Sequence, residues 1–315
     1  MATVFDDVRP VAAISRRAWR PLRILRELPT IPLAVVALLA FAAIFAPVIA
    51  PYSPLEPVSP TEEQCFARYG MASCPYLDDA PPFWSVEGSF ATPLGTDFLG
   101  RDVLSRLIYG ARISLLVALT GTVVAGAIGT ILGVLAGYLG RWWDQIIMRI
   151  TDAWLTLPSL VFAILISSVR GPGVWNVVLI LALVFWSRYS RAVRGEVLAL
   201  RERDFVRLAE INGISKTRII ARHLIPNVMN TVMVLFSLQV GVAVIIEASL
   251  SFLGVGVPPP EPSWGLMMAQ ARDGLMEGKW WLSVFPGICI TMLVLSANML
   301  GDWLRVRLDP QLRNR

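Results

Sequence analysis

The stretch whose residue types most clearly suggest chemistry is RLAEINGISKTRIIARHLIPN, residues 207–227. It predicts a helix that stops at Gly213 and a second helix capped by Ser215. A basic helix-turn-helix of this kind is typical of DNA-binding domains. However, the next residues, VMNTVMVLFSLQVGVAVII, are apolar enough to enter a membrane. The second helix therefore has no free face for phosphate and base contacts, and nucleic acid is not an expected partner.

Motifs for catalysis and for cofactor binding are missing from the sequence. It contains no G-x-x-x-x-G-K-[ST] phosphate loop, so we expect no ATP binding by this chain itself. H-E-x-x-H and G-x-S-x-G are also absent, and His223 is the only histidine. An intramembrane protease would need paired aspartates, but Asp152 and Asp302 each fall near the end of an apolar run. We therefore expect no catalytic residue, no metal site and no cofactor.

Two of the three cysteines lie close together in CFARYGMASC, as Cys65 and Cys74. A disulfide between them is the favoured prediction if this segment is exported to an oxidising compartment. Two free thiols or part of a metal site are the alternatives. The absence of a nearby histidine or further cysteine weighs against the metal site.

The elements that would position these residues are long apolar runs. The chain is 55% hydrophobic and only 16% charged, whereas soluble domains carry about 25% charged residues. Helices are the default in a hydrocarbon core of about 30 Å. We predict an all-α integral membrane protein with six transmembrane helices, at residues 31–50, 113–139, 150–169, 174–189, 228–252 and 281–304. No clean cleavage site follows the first run, so it is expected to be a retained anchor.

Lysine and arginine cluster at both ends of the chain and in the loop 190–226, whereas residues 51–100 contain a single basic residue. Because cytoplasmic segments are enriched in lysine and arginine, both termini and the loop 190–226 are predicted to be cytoplasmic. The predicted organisation has four parts: a cytoplasmic segment 1–30, a first transmembrane anchor 31–50, an exported loop with an amphipathic helix 51–110, and a core of five helices 111–310 that includes the loop 190–226.

Residues 93–115, PLGTDFLGRDVLSRLIYGARISL, predict the amphipathic helix. Thr96 or Asp97 is expected to cap it near Leu99, with its charged residues opposite the apolar ones. The span that follows contains a row of glycines, Gly129-x-x-x-Gly133-x-x-x-Gly137. Such a row allows another helix to approach closely.

Polar residues within the predicted spans need a reason, because a central charge in a membrane costs at least about 2.5–3.5 kcal/mol. Glu247, in IIEASLSF, is the clearest case. It is a candidate for lining a polar path through the membrane or for pairing with a partner subunit. A structural hydrogen bond to a neighbouring helix is the third alternative. Ser296 and Asn298 have the same alternatives.

The loop 190–226 is predicted to hold two short helices. Asp204 is expected to cap the first, and Pro226 is expected to mark a break before the next span. One face of the first helix collects three apolar residues and an asparagine: Phe205, Leu208, Ala209 and Asn212.

This loop resembles the cytoplasmic signature of permease subunits of bacterial ATP-binding-cassette importers, which reads Glu-Ala-Ala, three residues, Gly, nine residues, Ile-x-Leu-Pro. Ala209, Gly213 and Pro226 match the signature. Four positions depart from it: Arg207 replaces Glu, Leu208 the first Ala, His223 the Ile and Ile225 the Leu. Further similar stretches are PLGTDFLGRDVLSRLIYGARISL, DAWLTLPSL, EASLSFLGVGVPPPEPSWG and NMLGDWLRVRLDP. The resemblance covers about residues 30–310 and indicates a C-type permease of the dipeptide/oligopeptide/nickel branch.

The resemblance implies a transport subunit of the bacterial inner membrane that has no enzyme activity of its own. Its implied partners are a homologous permease, two ATPase subunits that bind ATP and magnesium, an exported substrate-binding protein and membrane lipid. The first loop helix would be a coupling helix that docks in a groove of the ATPase. The implied coupling residues are Phe205, Arg207, Leu208, Ala209, Asn212, Gly213 and Pro226.

The implied substrates are di- or oligopeptides. Similar permeases carry nickel chelates, glutathione or oligosaccharides, and these stay open as alternatives. A non-transporting membrane scaffold or sensor is the alternative of another class.

Overall fold

The computed structural model describes residues 29–59, 65, 71, 74, 78–85 and 88–308, and these contain helices but no β-strand. The predicted segment 1–30 therefore lies almost entirely outside the described residues. The α-helices in chain order are α1 Thr30–Ile44, α2 Ala46–Ile49, α3 Val103–Leu139, α4 Arg141–Thr156, α5 Ser159–Arg170, α6 Val174–Arg201, α7 Asp204–Ile211, α8 Lys216–Ile219, α9 Ile225–Phe252, α10 Trp264–Gln270, α11 Arg272–Met276 and α12 Trp281–Leu308. A π-helical turn, Ile220–Leu224, joins α8 to α9.

Four helical segments within the described residues are long and apolar enough to cross a membrane: α3, α6, α12 and the continuous Lys216–Phe252. The bent pair α4 and α5 makes a fifth if it counts as one span. The predicted first span is the shorter helix α1, which ends at Phe45 before α2 begins. The predicted all-α membrane fold is confirmed. The count of six spans and the side of the membrane on which the ends lie stay predictions.

The prediction of one helix over residues 150–169 is wrong. Helices α4 and α5 meet at an angle of 92°. Leu157 adopts an extended conformation at the break, with φ −74° and ψ 130°, and Pro158 follows it. Proline lacks an N–H donor and disfavours a helical conformation at the residue before it, so the helix ends there.

The predicted start of the amphipathic helix is also wrong. Helix α3 begins at Val103, and the carboxylate of Asp102 caps it by accepting a 2.7 Å hydrogen bond from the Ser105 N–H. The helix then runs without interruption into the predicted second span. The charged side is packed inside the protein, because Arg101, Asp102 and Arg106 are all buried. Helical periodicity separates the two faces of a helix but does not show whether water or protein covers the polar one.

The predicted close approach at the glycine row is confirmed, and the partner is α6. A Cβ atom at Gly129 would lie 2.3 Å from the carbonyl oxygen of Trp186. At Gly133 it would lie 2.7 Å from the carbonyl oxygen of Ser190. Only glycine permits this separation, so the row brings the backbones of α3 and α6 together.

The predicted break at Pro226 does not occur. Pro226 lies at the start of α9, directly after the π-helical turn Ile220–Leu224. The π-helical turn before it keeps the helix continuous from Lys216 to Phe252. The side chain of Asn227 donates a 2.6 Å hydrogen bond to the carbonyl oxygen of His223, which strengthens this join.

Candidate functional site

Helix α7 and the turn after it form the candidate coupling site. The Gly213 N–H donates to the carbonyl oxygen of Glu210 at 3.0 Å, and the Ile214 N–H donates to that of Ala209 at 3.1 Å. These two bonds, together with a φ of +72° at Gly213, form a Schellman motif. The helix therefore stops at the predicted glycine. The predicted cap by Asp204 does not form, because Asp204 lies inside the first turn and makes no capping bond.

The inner face of α7 is anchored in the protein. Val206 and Ala209 are buried in an apolar cluster with the ends of the membrane helices. The other buried members of this cluster are Val134, Tyr138, Val193, Val197, Leu200, Ile219, Leu224 and Val228. The sequence prediction placed Ala209 on the docking face, but only 5% of it is exposed. It also missed Val206, whose spacing of three residues from Ala209 is the signal for this inner face.

The outer face of α7 is apolar and exposed. The exposed fractions are 38% for Phe205, 57% for Leu208 and 80% for Ile211. Asn212 is exposed beside them. Ile211 was not among the predicted coupling residues, although its spacing of three residues from Leu208 places it on the same face. Helix α7 thus holds one apolar face in the core and presents another outside it.

Two polar contacts fix α7 in place. The Tyr138 hydroxyl, near the end of α3, donates a 2.9 Å hydrogen bond to the Glu210 carboxylate. Arg207 forms an exposed ion pair with Glu202. The arginine that replaces the signature glutamate is therefore engaged by an acid of its own chain. Exposed pairs of this kind contribute little to stability, about 0–1 kcal/mol.

Glu247 lies inside the protein and is fully buried. Its carboxylate accepts hydrogen bonds from Ser114 at 3.1 Å and from Ser251 at 2.9 Å. The Ser114 hydroxyl also accepts a 3.4 Å bond from the backbone N–H of Trp264. Of the three predicted alternatives, the described contacts are those of a structural bond to neighbouring helices. They join α9 to α3 and α10.

The other two predicted pathway residues lie on α12. Ser296 is buried, and Asn298 is partly buried. The Asn298 side-chain oxygen is 3.1 Å from the position that a Cβ atom on Gly241 would occupy, so Asn298 packs against the backbone of α9.

A buried charge cluster before α3 was not foreseen as a site. The Asp97 carboxylate accepts a 2.8 Å bond from Arg101 and a 2.5 Å bond from Arg106. Arg106 also donates to the side chain of Gln270 on α10 at 2.9 Å. Burial raises the pKa of neighbouring Asp102 above its ordinary 3.8, while hydrogen bonds from Ser105 oppose this. The cluster fastens the loop before α3 to α10.

Cys65 and Cys74 form a disulfide in the structure, with 5.5 Å between their Cα atoms. This is the pairing that the sequence favoured. Cys289, on α12, is a free thiol.

A family model described as the inner membrane component of binding-protein-dependent transport systems matches residues 129–314, which is more than half of the chain. The chain belongs to this family. It is 40% identical, over 76% of its length and 82% of the relative's, to a putative peptide transport system permease protein of Brucella suis biovar 1. It is 42% identical to the di/tripeptide transport system permease protein DppC of Pseudomonas aeruginosa, over 74% of this chain and 77% of that one.

A solved structure supports the permease fold. A chain of the MetNI methionine ABC transporter, in an inward-facing conformation, matches with a TM-score of 0.52. The match covers 65% of this permease and 96% of that chain at 14% identity. At this identity the likeness concerns the fold alone.

Proposed function

We propose that this permease is one half of the translocation pathway of an ATP-driven importer of di- or oligopeptides in the bacterial inner membrane. The proposal rests on the exposed apolar outer face of α7, whose inner face is buried among the ends of the membrane helices. Support for the substrate comes from the relatives, which are named as peptide permeases and are 40–42% identical to this chain over 234–245 aligned residues.

The proposed complex contains this chain, a homologous permease, two ATPase subunits and an exported binding protein that delivers the peptide. ATP and magnesium would be bound by the ATPase subunits. Residues 1–30, the loop 190–226 and the C-terminal tail would face the cytoplasm, where lysine and arginine accumulate. Residues 51–110 would be exported, which agrees with a disulfide in that segment.

The outer face of α7 suits helix-in-groove recognition, in which an apolar helix face is buried in a groove of the partner. Phe205, Leu208 and Ile211 would enter the ATPase groove. When the ATPases close, α7 would be displaced together with the cluster that holds Val206 and Ala209. Because that cluster includes the ends of α3 and α6 and the start of α9, the displacement reaches three membrane helices. Alternating access would then follow as a rocking motion of the bundle.

The first experiment replaces apolar residues on the outer face of α7. Leu208→Asp or Ile211→Asp should abolish co-purification of the ATPase subunits, because a carboxylate would be buried without a partner in the groove. Met276→Asp is the matched control. It is 92% exposed and lies at the opposite end of the long helices. Wild-type amounts of ATPase with both α7 variants would contradict the coupling proposal.

Gly213→Pro gives a second test. Proline cannot adopt the φ of +72° and removes the hydrogen bond to Glu210. We expect this variant to insert into the membrane but to lose ATPase assembly or transport. Normal peptide uptake would contradict the role of the turn.

The substrate is tested in proteoliposomes that contain the whole importer and its binding protein. We expect ATP-dependent uptake of a labelled tripeptide, with nickel chelates, glutathione and oligosaccharides as the competing substrates. A chain that retains no ATPase and shows no substrate-dependent ATP hydrolysis would instead be a scaffold or sensor.

A further inference from the structure

Three arginines follow one another at intervals of three residues along α6, but only two of them have acidic partners. Arg194 makes a bidentate pair with Asp144, with bonds of 2.5 and 2.7 Å. Arg191 pairs with Asp152. Both acids belong to α4. Arg188 forms no ion pair with any of the residues that the structure describes.

Arg188 instead contacts the side chain of Gln239 on α9. The Arg188 guanidinium donates a 3.3 Å hydrogen bond to the side-chain oxygen of Gln239. Gln239 is 7% exposed, and its Nε2 has no hydrogen-bond partner among the described residues. Arginine has five N–H donors and no acceptor. Arg188 and Gln239 therefore carry several N–H donors for which the described residues provide no acceptor.

A cavity of about 60 Å³ lies in front of Arg188, at the break between α4 and α5. Trp154, Leu157, Phe162 and Val184 form its apolar wall, and Ser159 contributes a hydroxyl. Its volume suits a few water molecules or a carboxylate but not a whole peptide. Helix α5 begins at Ser159, a lining residue, without a side-chain cap, so the backbone N–H of Ser159 has no partner within the helix.

Arg188 lies in the last turn of the predicted span 174–189, and Gln239 lies in the predicted span 228–252. The Gly173 N–H donates to the carbonyl oxygen of Gly256 at 3.0 Å, so the start of α6 and the end of α9 lie on the same side. Arg188 is about 21 Å along α6 from that side, and Gln239 is about 20 Å along α9, at 1.5 Å per residue. Both distances are shorter than the thickness of a hydrocarbon core, about 30 Å. An arginine in a membrane span without a counter-ion is costly unless an anion joins it.

We propose that Arg188, held in place by its hydrogen bond to Gln239, binds the C-terminal carboxylate of a peptide in transit. This inference rests on the proposed function as a peptide importer. The planar guanidinium matches a carboxylate with two parallel hydrogen bonds. Every linear peptide with an unmodified C-terminus carries this carboxylate, whereas its side chains vary. A cation that binds the invariant group allows peptides of different sequence to use one pathway.

The test uses the whole importer with its binding protein in nanodiscs, trapped with ATPase subunits that bind ATP but do not hydrolyse it. The probe is the tripeptide alanyl-alanyl-benzoylphenylalanine, which has a photoreactive C-terminal residue and a free carboxylate. After irradiation, the labelled segment is identified by mass spectrometry. We expect adducts on residues 154–162, which line the cavity.

The variants separate charge from packing. Arg188→Gln should lower the adduct yield at least about tenfold, because a hydrogen bond to a charged group is lost. Arg188→Lys should retain an intermediate yield. Arg191→Gln is the matched control and should leave the yield unchanged, because Arg191 already has an acidic partner. Co-purification of the ATPases in normal amount verifies that each variant is folded.

Adducts elsewhere in the chain, or an equal yield from Arg188→Gln, would overturn the inference. Loss of import by Arg188→Gln with unchanged adducts would also overturn it, since the arginine would then serve packing or pair with an acid of the other permease. A wild-type complex that imports peptide but gives no adduct near Arg188 overturns this inference alone. A wild-type complex that neither imports nor crosslinks peptide overturns the proposed function.

Discussion

Replacement of Gly129 by alanine tests how closely α3 and α6 must approach. An alanine Cβ atom would lie 2.3 Å from the carbonyl oxygen of Trp186 and 2.5 Å from the Cβ atom of Tyr189. The oxygen belongs to the backbone of a helix and cannot rotate away. The two helices would therefore have to separate, which would weaken the contact along the whole glycine row.

The expected loss follows from two opposing effects. Overpacking costs about 1–3 kcal/mol, and we expect the upper part of this range because a backbone atom obstructs the methyl group. Alanine favours the helix over glycine by about 1 kcal/mol. The net loss in the free energy of unfolding should therefore be about 1–2 kcal/mol.

Gly195→Ala is the matched control for this substitution. Gly195 lies on α6 itself, and a Cβ atom there would meet nothing within 4 Å. It should keep the gain in helix propensity, up to about 1 kcal/mol, without overpacking. The assay is unfolding of the purified permease from mild detergent with increasing dodecyl sulfate, followed by circular dichroism. Wild-type stability of Gly129→Ala, or an equal loss in Gly195→Ala, would refute the reasoning.

Three further predictions use the same unfolding assay. Asp97→Ala leaves two buried guanidinium groups without their acid and should cost about 3–5 kcal/mol; Asp97→Asn keeps an acceptor and should cost less. A Cβ atom at Gly213 would meet open space, but φ at this position is +72°. We therefore expect Gly213→Ala to lower the free energy of unfolding by about 1–2 kcal/mol through backbone strain alone. The pKa of Lys279 is raised above its ordinary 10.5 by a hydrogen bond to Asp79. The stabilisation of the folded protein by this hydrogen bond should be complete below pH 10.5 and should disappear as the pH rises further. An identical pH dependence of stability in Lys279→Met would contradict this prediction.

The apolar runs predicted the four helical segments that are long and apolar enough to cross a membrane, because hydrophobic length is a property of each segment by itself. The glycine row also predicted a close helix contact correctly, although it could not name α6 as the partner. The break at Leu157 was missed even though Pro158 signals it. Apolar residues continue on both sides of the proline, so hydrophobic length alone does not reveal the break.

The errors at the sites arise from tertiary contacts. Periodicity places Leu208, Ala209 and Ile211 around one short helix, but only the neighbouring helices decide that Ala209 is covered. The contact of Arg106 with Gln270 could not be foreseen, because the two residues are 164 positions apart in sequence. Arg188 and Gln239 are likewise 51 residues apart. Their meeting depends on how α6 and α9 pack.

The π-helical turn Ile220–Leu224 sets the angular phase of α9. A π-turn holds one residue more than the α-turn that it replaces, and one residue corresponds to about 100° of rotation in an α-helix. Without this extra residue, the membrane part of α9 would be turned by about 100° relative to α7 and its turn. Glu247 would then point away from Ser114. The added residue therefore determines which side chains of α9 face the interior of the bundle.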